Sequence, residues 1–206
     1  MENTRTKTTR NSLILLLTAA IWGMAFVSQS KGMDYMHPFT FNGVRSLIGA
    51  ASILVYILIS RKIAGDKAAP LDWKLNVKAG LLCGIFLTIA STLQQFGIKY
   101  TSVGKAGFIT TLYIIFVPMF GIFLKKKVAP VVWAAAVMAA VGMYLLCMTE
   151  SLRLGAGDIM VFLCAIAFAI QIMTVDHYAT RIDGAVVSCI QFTVCGVVCC
   201  IGALIW

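Results

Sequence analysis

Seven stretches of this 206-residue chain are apolar for about 18 residues or more, enough to cross the hydrocarbon of a bilayer. They run Asn11–Ser30, Phe39–Ser60, Trp73–Phe96, Val103–Leu124, Val131–Thr149, Gly157–Val175 and Gly184–Trp206. Lipid offers backbone N–H and C=O groups no partners, so each stretch has to satisfy its own and is predicted to be helical. The fold class is therefore all-α, a polytopic membrane helix bundle with seven predicted transmembrane helices. Composition agrees. Apolar residues make up 60% of the chain, charged residues 12%, and the mean hydropathy is +0.92. That leaves too little polar surface to clothe a soluble domain of this length.

The net charge of +9 would suit nucleic acid if it were clustered on one face. It is not. With the N-terminus placed in the cytoplasm, the inner segments carry Arg5, Lys7, Arg10, Arg61, Lys62, Lys67, Lys74, Lys78, Lys125, Lys126, Lys127 and Arg181. The outer segments carry Lys31, Lys99, Lys105 and Arg153. An excess of cations over short loops on one side is the positive-inside rule, so the charge encodes topology and no nucleic-acid partner is expected. The basic head followed by an apolar run resembles a signal peptide, but the run is too long and "WGMAFVSQSKG" is a poor cleavage site. It is read as an uncleaved first helix. All seven cysteines fall within predicted helices without metal-ligand spacing, and His37 and His177 lie in loops far from them in sequence. They are read as small packing residues.

The connections are short, and there is no low-complexity linker. Sliding the chain by 146 positions places "TAAIWGMAFVS" over "CAIAFAIQIMT" and "FNGVRSLIG" over "VSCIQFTVC". Trp22 then faces Phe168, Asn42 faces Ser188 and Arg45 faces Gln191. A repeat of five helices is odd in number, so its second copy enters the membrane from the opposite side. Such an inverted repeat marks secondary transporters. The units are 11–149 and 157–206, the second incomplete, with two of its five helices.

The stretch "LTAAIWGMAFVSQSKGMDYMHPFTFNGVRSLIGAA" resembles the opening of an EamA-like domain of the drug/metabolite transporter superfamily. It has a Trp-Gly pair in the first helix, a short loop ending at Pro38, and an Arg early in the second helix. "STLQQFGIKYTSVGKAGFITTLYIIFVPMFGIFLKKK" is similar to the third and fourth helices of that domain, and "GDIMVFLCAIAFAIQIM" to the start of its second copy. The resemblance implies ten helices in two inverted copies and movement of small organic solutes. Many members carry a Gly-Glu pair after the fourth helix, where this chain has Lys125–Lys127.

Arg45 is the one charge in Phe39–Ile59. It lies about two turns from the outer end of its helix, where it can snorkel, pair with Asp158 at a comparable depth, or face a water-filled cavity and attract an anionic group. Asp158 also suits its own position at a helix N-terminus. Asn42 is one turn from Arg45 on a neighbouring face. Gln94, Gln95, Thr110, Thr111 and Tyr113 lie in outer halves of their helices, where each can serve either as interhelical glue or as cavity wall. Trp22 sits mid-helix, away from the interfaces tryptophans prefer, as packing or as cavity wall, and Phe168 and Gln171 take the equivalent place in the second copy. Pro118 predicts a kink in the fourth helix. Gly80 and Gly84 form a small-xxx-small face for close packing.

No intramembrane acid stands out as a proton relay, and Walker A, Gly-x-Ser-x-Gly and His-Glu-x-x-His motifs are absent. The reading is a non-enzymatic, cofactor-free secondary transporter in the inner or plasma membrane of a prokaryote, N-terminus cytoplasmic, moving a small polar or amphipathic metabolite by alternating access. Its candidate substrate-binding residues are Trp22, Asn42, Arg45, Gln94, Gln95, Thr111, Tyr113 and Gln171. The lipid bilayer and the solute are its partners, and a homo-oligomer or a completing chain would close the cavity. The alternative is a non-transporting assembly partner or an inactive remnant.

Overall fold

The computed structural model describes residues 4–65, 71–125, 128–147 and 155–206. Among them every regular element is a helix: α1 (Thr4–Gly32), α2 (Pro38–Ala64), α3 (Trp73–Tyr100), α4 (Val103–Thr111), α5 (Tyr113–Phe123), α6 (Pro130–Cys147), α7 (Ala156–Tyr178) and α8 (Gly184–Ile205). Six segments are long and apolar enough to cross a membrane, with α4 and α5 together forming one of them, and α6 is apolar over Pro130–Gly142. The predicted end of the fifth run, at Thr149, lies outside the described residues. Several helices outrun their apolar stretches. α1 begins at Thr4, among Arg5, Lys7 and Arg10, because nothing in that polar lead breaks a helix.

Helix ends follow local chemistry. Pro38 opens α2, where a missing N–H costs nothing. Gly65 ends it at φ +51, a conformation that suits a residue without Cβ. Asp72, Ser102 and Asp183 are N-caps whose side chains accept from Leu75 N, Lys105 N and Ala185 N. The fourth run breaks at Leu112, six positions before Pro118. There Thr111 donates its hydroxyl back to Phe108 O at 2.7 Å, and Leu112 N turns to Ile109 O at 3.2 Å. This bonding tightens one turn. Pro118, where the kink was expected, lies inside α5, and the break falls instead at Leu112 beside the Thr111 hydroxyl.

The bundle is built on α2, α3, α7 and α8. Gly43 lies against Cys200 and Gly196 against Leu47, so α2 and α8 run antiparallel. Gly80 lies against Ile190 and Gly84 against Val194, so α3 and α8 run parallel, with the two glycines making the close face their spacing predicts. Gly97 packs on Val161, while Ala90 clusters with Cys164 and Ala167, so α3 and α7 run antiparallel. α1 stands at the edge, touching α3 and α4, with Leu13, Leu16, Trp22 and Met24 exposed. Ion pairs close opposite ends of the bundle: Arg61–Asp183 at 3.6 Å and Lys105–Asp158 at 3.8 Å.

Close approach is tightest where α7 begins. A methyl on Gly157 would sit 2.8 Å from Gly97 O and 2.8 Å from Tyr100 C, both backbone atoms that cannot swing aside. A methyl on Gly107 would meet nothing within 4 Å. We therefore expect Gly157→Ala to destabilise the protein by about 1–3 kcal/mol, and Gly107→Ala to be neutral or stabilising by up to about 1 kcal/mol. Thermal unfolding in a mild detergent checks both. Equal melting temperatures for the two variants would contradict the contact at Gly157.

Candidate functional site

Seven of the eight candidate residues fall on α3 or on two flanks of it. On one flank, Trp22 of α1, Thr111 of α4 and Tyr113 of α5 line a groove of about 720 Å³ together with Thr18, Phe26 and Gly107. The groove lies where α1 stands at the edge of the bundle against α3 and α4, with Trp22 51% exposed. Its volume is that of a small-molecule site. Thr18 donates its hydroxyl to Ile14 O at 2.8 Å, just as Thr111 does to Phe108 O. Both oxygens therefore keep only lone pairs for a ligand, while Tyr113 contributes a hydroxyl and Trp22 an indole N–H.

α3 carries two buried amides whose partners lie on α4 and α1. Gln94 Nε2 donates to Thr110 Oγ1 at 3.3 Å, and Gln95 Nε2 donates to Gln29 O at 3.3 Å. Gln95 is fully buried and Gln29 nearly so, yet the Oε1 atoms of both lack a partner. A buried amide oxygen left unmatched costs about 1–3 kcal/mol. Gln29 is absent from the candidates read in the sequence. It falls at the end of the first apolar run, in "VSQSKG", where a glutamine looks like ordinary interface polarity.

On the other flank, α2, α3 and α8 meet in a polar seam. Asn42 is fully buried; its Nδ2 donates to Ser91 O at 2.9 Å and its Oδ1 accepts from Arg45 Nη2 at 2.9 Å. The predicted neighbouring faces of Asn42 and Arg45 are thus in direct contact. Ser46 Oγ donates to Cys195 Sγ at 3.4 Å, and Ser91 Oγ lies 3.4 Å from the same sulfur. Arg45 packs over the Phe41 ring at 5.6 Å. Its side chain is exposed on the remaining side. Of the cysteines read as packing residues, Cys83, Cys164, Cys195 and Cys199 are buried, Cys189 and Cys200 are half-buried, and the Cys147 side chain lies outside the described residues; Cys195 also accepts a hydrogen bond from Ser46 in the seam.

The pairing of Arg45 with Asp158 does not form. Asp158 is buried at the start of α7, where its carboxylate accepts from Thr101 Oγ1 and from Gly155 N at 2.9 Å and pairs with Lys105. The loop joining α3 to α4 brings Thr101 and Lys105 over the N-terminus of α7, so the local partners win.

Gln171 stands apart from both clusters. Its Nε2 donates to Gln191 Oε1 at 3.0 Å, and Gln191 is the residue that the 146-residue shift places over Arg45. The structure therefore joins Asn42 with Arg45 directly. It gathers Trp22, Thr111 and Tyr113 around one groove, bonds Gln94 and Gln95 of α3 to Thr110 and Gln29, and leaves Gln171 in a separate pair.

Comparison with known proteins bears on this arrangement. The model of the EamA-like transporter family matches residues 10–148. An uncharacterized transporter from Archaeoglobus fulgidus is 31% identical over 171 residues, which covers 80% of this chain and 48% of that protein. The chain thus spans about half the length of this curated relative. No solved structure matches it. Helices that span a bilayer, a groove walled by the first and fourth spans, and a family match over residues 10–148 lead to one conclusion: the chain belongs to the EamA-like transporter family.

Proposed function

We propose that the protein is a secondary transporter that moves a small polar or amphipathic metabolite across the membrane by alternating access. The observation that carries this reading is the groove of about 720 Å³ walled by Trp22, Thr111 and Tyr113, because it brings lone pairs and aromatic faces together inside spanning helices. Lipid-facing helices need neither. Trp22, Phe26 and Tyr113 would hold the apolar body of the solute, and the Thr18 and Thr111 oxygens would accept from its N–H or O–H groups. Gln94 and Gln95 would support this wall from α3. Asn42 with Arg45, and Gln171 with Gln191, would lie along the seams of the moving parts.

The repeat units 11–149 and 157–206 supply a mechanism. The antiparallel packing of α2 on α8 suits two inverted copies that meet about a shared axis, and rocking one against the other exposes a fixed site to each side in turn. The tightened turn at Leu112, beside Thr111 in the groove wall, is where the fourth span can bend during that motion.

Uptake into membrane vesicles of a panel of amino acids, nucleosides and sugars tests the groove. For whichever solute the protein moves, Trp22→Ala and Thr111→Leu are expected to lower uptake at least tenfold, about 1.4 kcal/mol. Leu16→Ala, on an exposed face of α1, should leave uptake unchanged. Normal uptake by both groove variants at normal abundance would place the path elsewhere.

The proposed orientation has the N-terminus in the cytoplasm of the cell that bears this inner or plasma membrane. With a membrane-impermeant maleimide, Lys31→Cys should label in intact cells and Lys62→Cys only after permeabilisation. The reverse pattern would invert the topology.

A further inference from the structure

We propose that the guanidinium of Arg45 is a seat for an anionic group, a carboxylate or a phosphate, carried by a small solute. The side chain belongs to α2, seven residues into a spanning helix or about 10 Å at 1.5 Å per residue. A cation at such a place needs a counter-charge or a polar cavity. Among the described residues no carboxylate lies within ion-pair distance of it. Asp158 is engaged by Lys105, Thr101 and Gly155, and Asp183 by Arg61.

The guanidinium is nevertheless held in place. Asn42 accepts from Nη2, and Asn42 is itself anchored to the backbone of α3 through Ser91 O. The Phe41 ring covers one side at 5.6 Å. Arginine offers five N–H donors in a planar fork, and a single neutral acceptor, Asn42 Oδ1, takes one of them. The fork matches the geometry of a carboxylate or phosphate, and such charge-assisted bonds are the strong ones. An aromatic ring beside the fork favours an anion with a flat apolar body.

The inference depends on the transport reading for its cellular role alone. Binding is measured on purified protein, so the two can fail separately. The experiment follows the melting temperature of the purified chain in dodecyl maltoside with sodium benzoate or benzamide at matched ionic strength. Benzoate should raise it saturably and benzamide should not. Arg45→Lys should keep a weaker response, and Arg45→Gln, which retains a donor for Asn42, should lose at least tenfold in apparent affinity. Equal responses to the two probes, or an unchanged benzoate response in Arg45→Gln, would overturn the proposal.

A lipid headgroup could offer the same phosphate chemistry. Nanodiscs of phosphatidylglycerol and phosphatidylcholine separate that source. Stabilisation by the anionic lipid without any by benzoate would make Arg45 a headgroup anchor and overturn the solute seat. If Arg45→Gln does not fold, Arg45→Lys decides: it should raise the benzoate concentration for half the shift at least threefold. An unchanged benzoate response in Arg45→Lys would refute the seat.

Discussion

How closely α3 can approach its neighbours governs this bundle. In lipid there is no hydrophobic drive to push one apolar helix onto another, so helices associate through van der Waals contact and through polar bonds between them. Gly80, Gly84 and Gly97 remove side chains where Ile190, Val194 and Val161 need to enter, and Gly157 does the same from the α7 side. The result places α3 between α7 and α8 over its whole length. α2 then reaches α3 through Asn42, and α1 reaches it through Gln29. Without that close approach, neither polar cluster would have a third helix to bond to.

The two clusters on α3 solve the same problem differently. Ser91 and Gln95 are one turn apart on one helix, yet Ser91 joins α2 and α8 while Gln95 joins α1. The α8 side is tight, with glycines and thiols filling the space. The α1 side is loose, and there amide oxygens lack partners and the groove opens. A rigid seam beside a loosely held helix is the division of labour that a moving part needs, since elements that move come from the less stable end of a structure.

The spans were legible in the sequence because they depend on a single variable, the length of apolar runs, and because helix is the one state lipid allows. The glycine face at Gly80 and Gly84 was legible from spacing, as was the Asn42–Arg45 contact. The partner of Asp158 was not. Depth suggested Arg45, whereas the path of the two-residue connection Thr101–Ser102 decided for Lys105 and Thr101 itself. Gln29 was missed for a related reason. Its importance comes from α3 presenting Gln95 to it, and nothing within α1 signals that. A kink was expected at Pro118, but the fourth span breaks at Leu112, where the Thr111 hydroxyl bonds back to Phe108 O. Local chemistry could be read; which distant residue meets it could not.

The two ion pairs differ in more than position. One ties α2 to α8 at one face and the other ties α4 to α7 at the opposite face. Arg61 and Asp183 are both about a third exposed, with side chains 35% and 38% accessible, so parting them in water costs little. Asp158 is 4% accessible and is held by a hydroxyl and a backbone N–H as well as by Lys105. Parting that face strands a buried carboxylate unless water enters at the same moment. The bundle is therefore stiffer at one rim than at the other, like a clamp with one strong and one weak jaw. Raising ionic strength loosens the weak jaw first, because salt screens exposed pairs far more than buried ones.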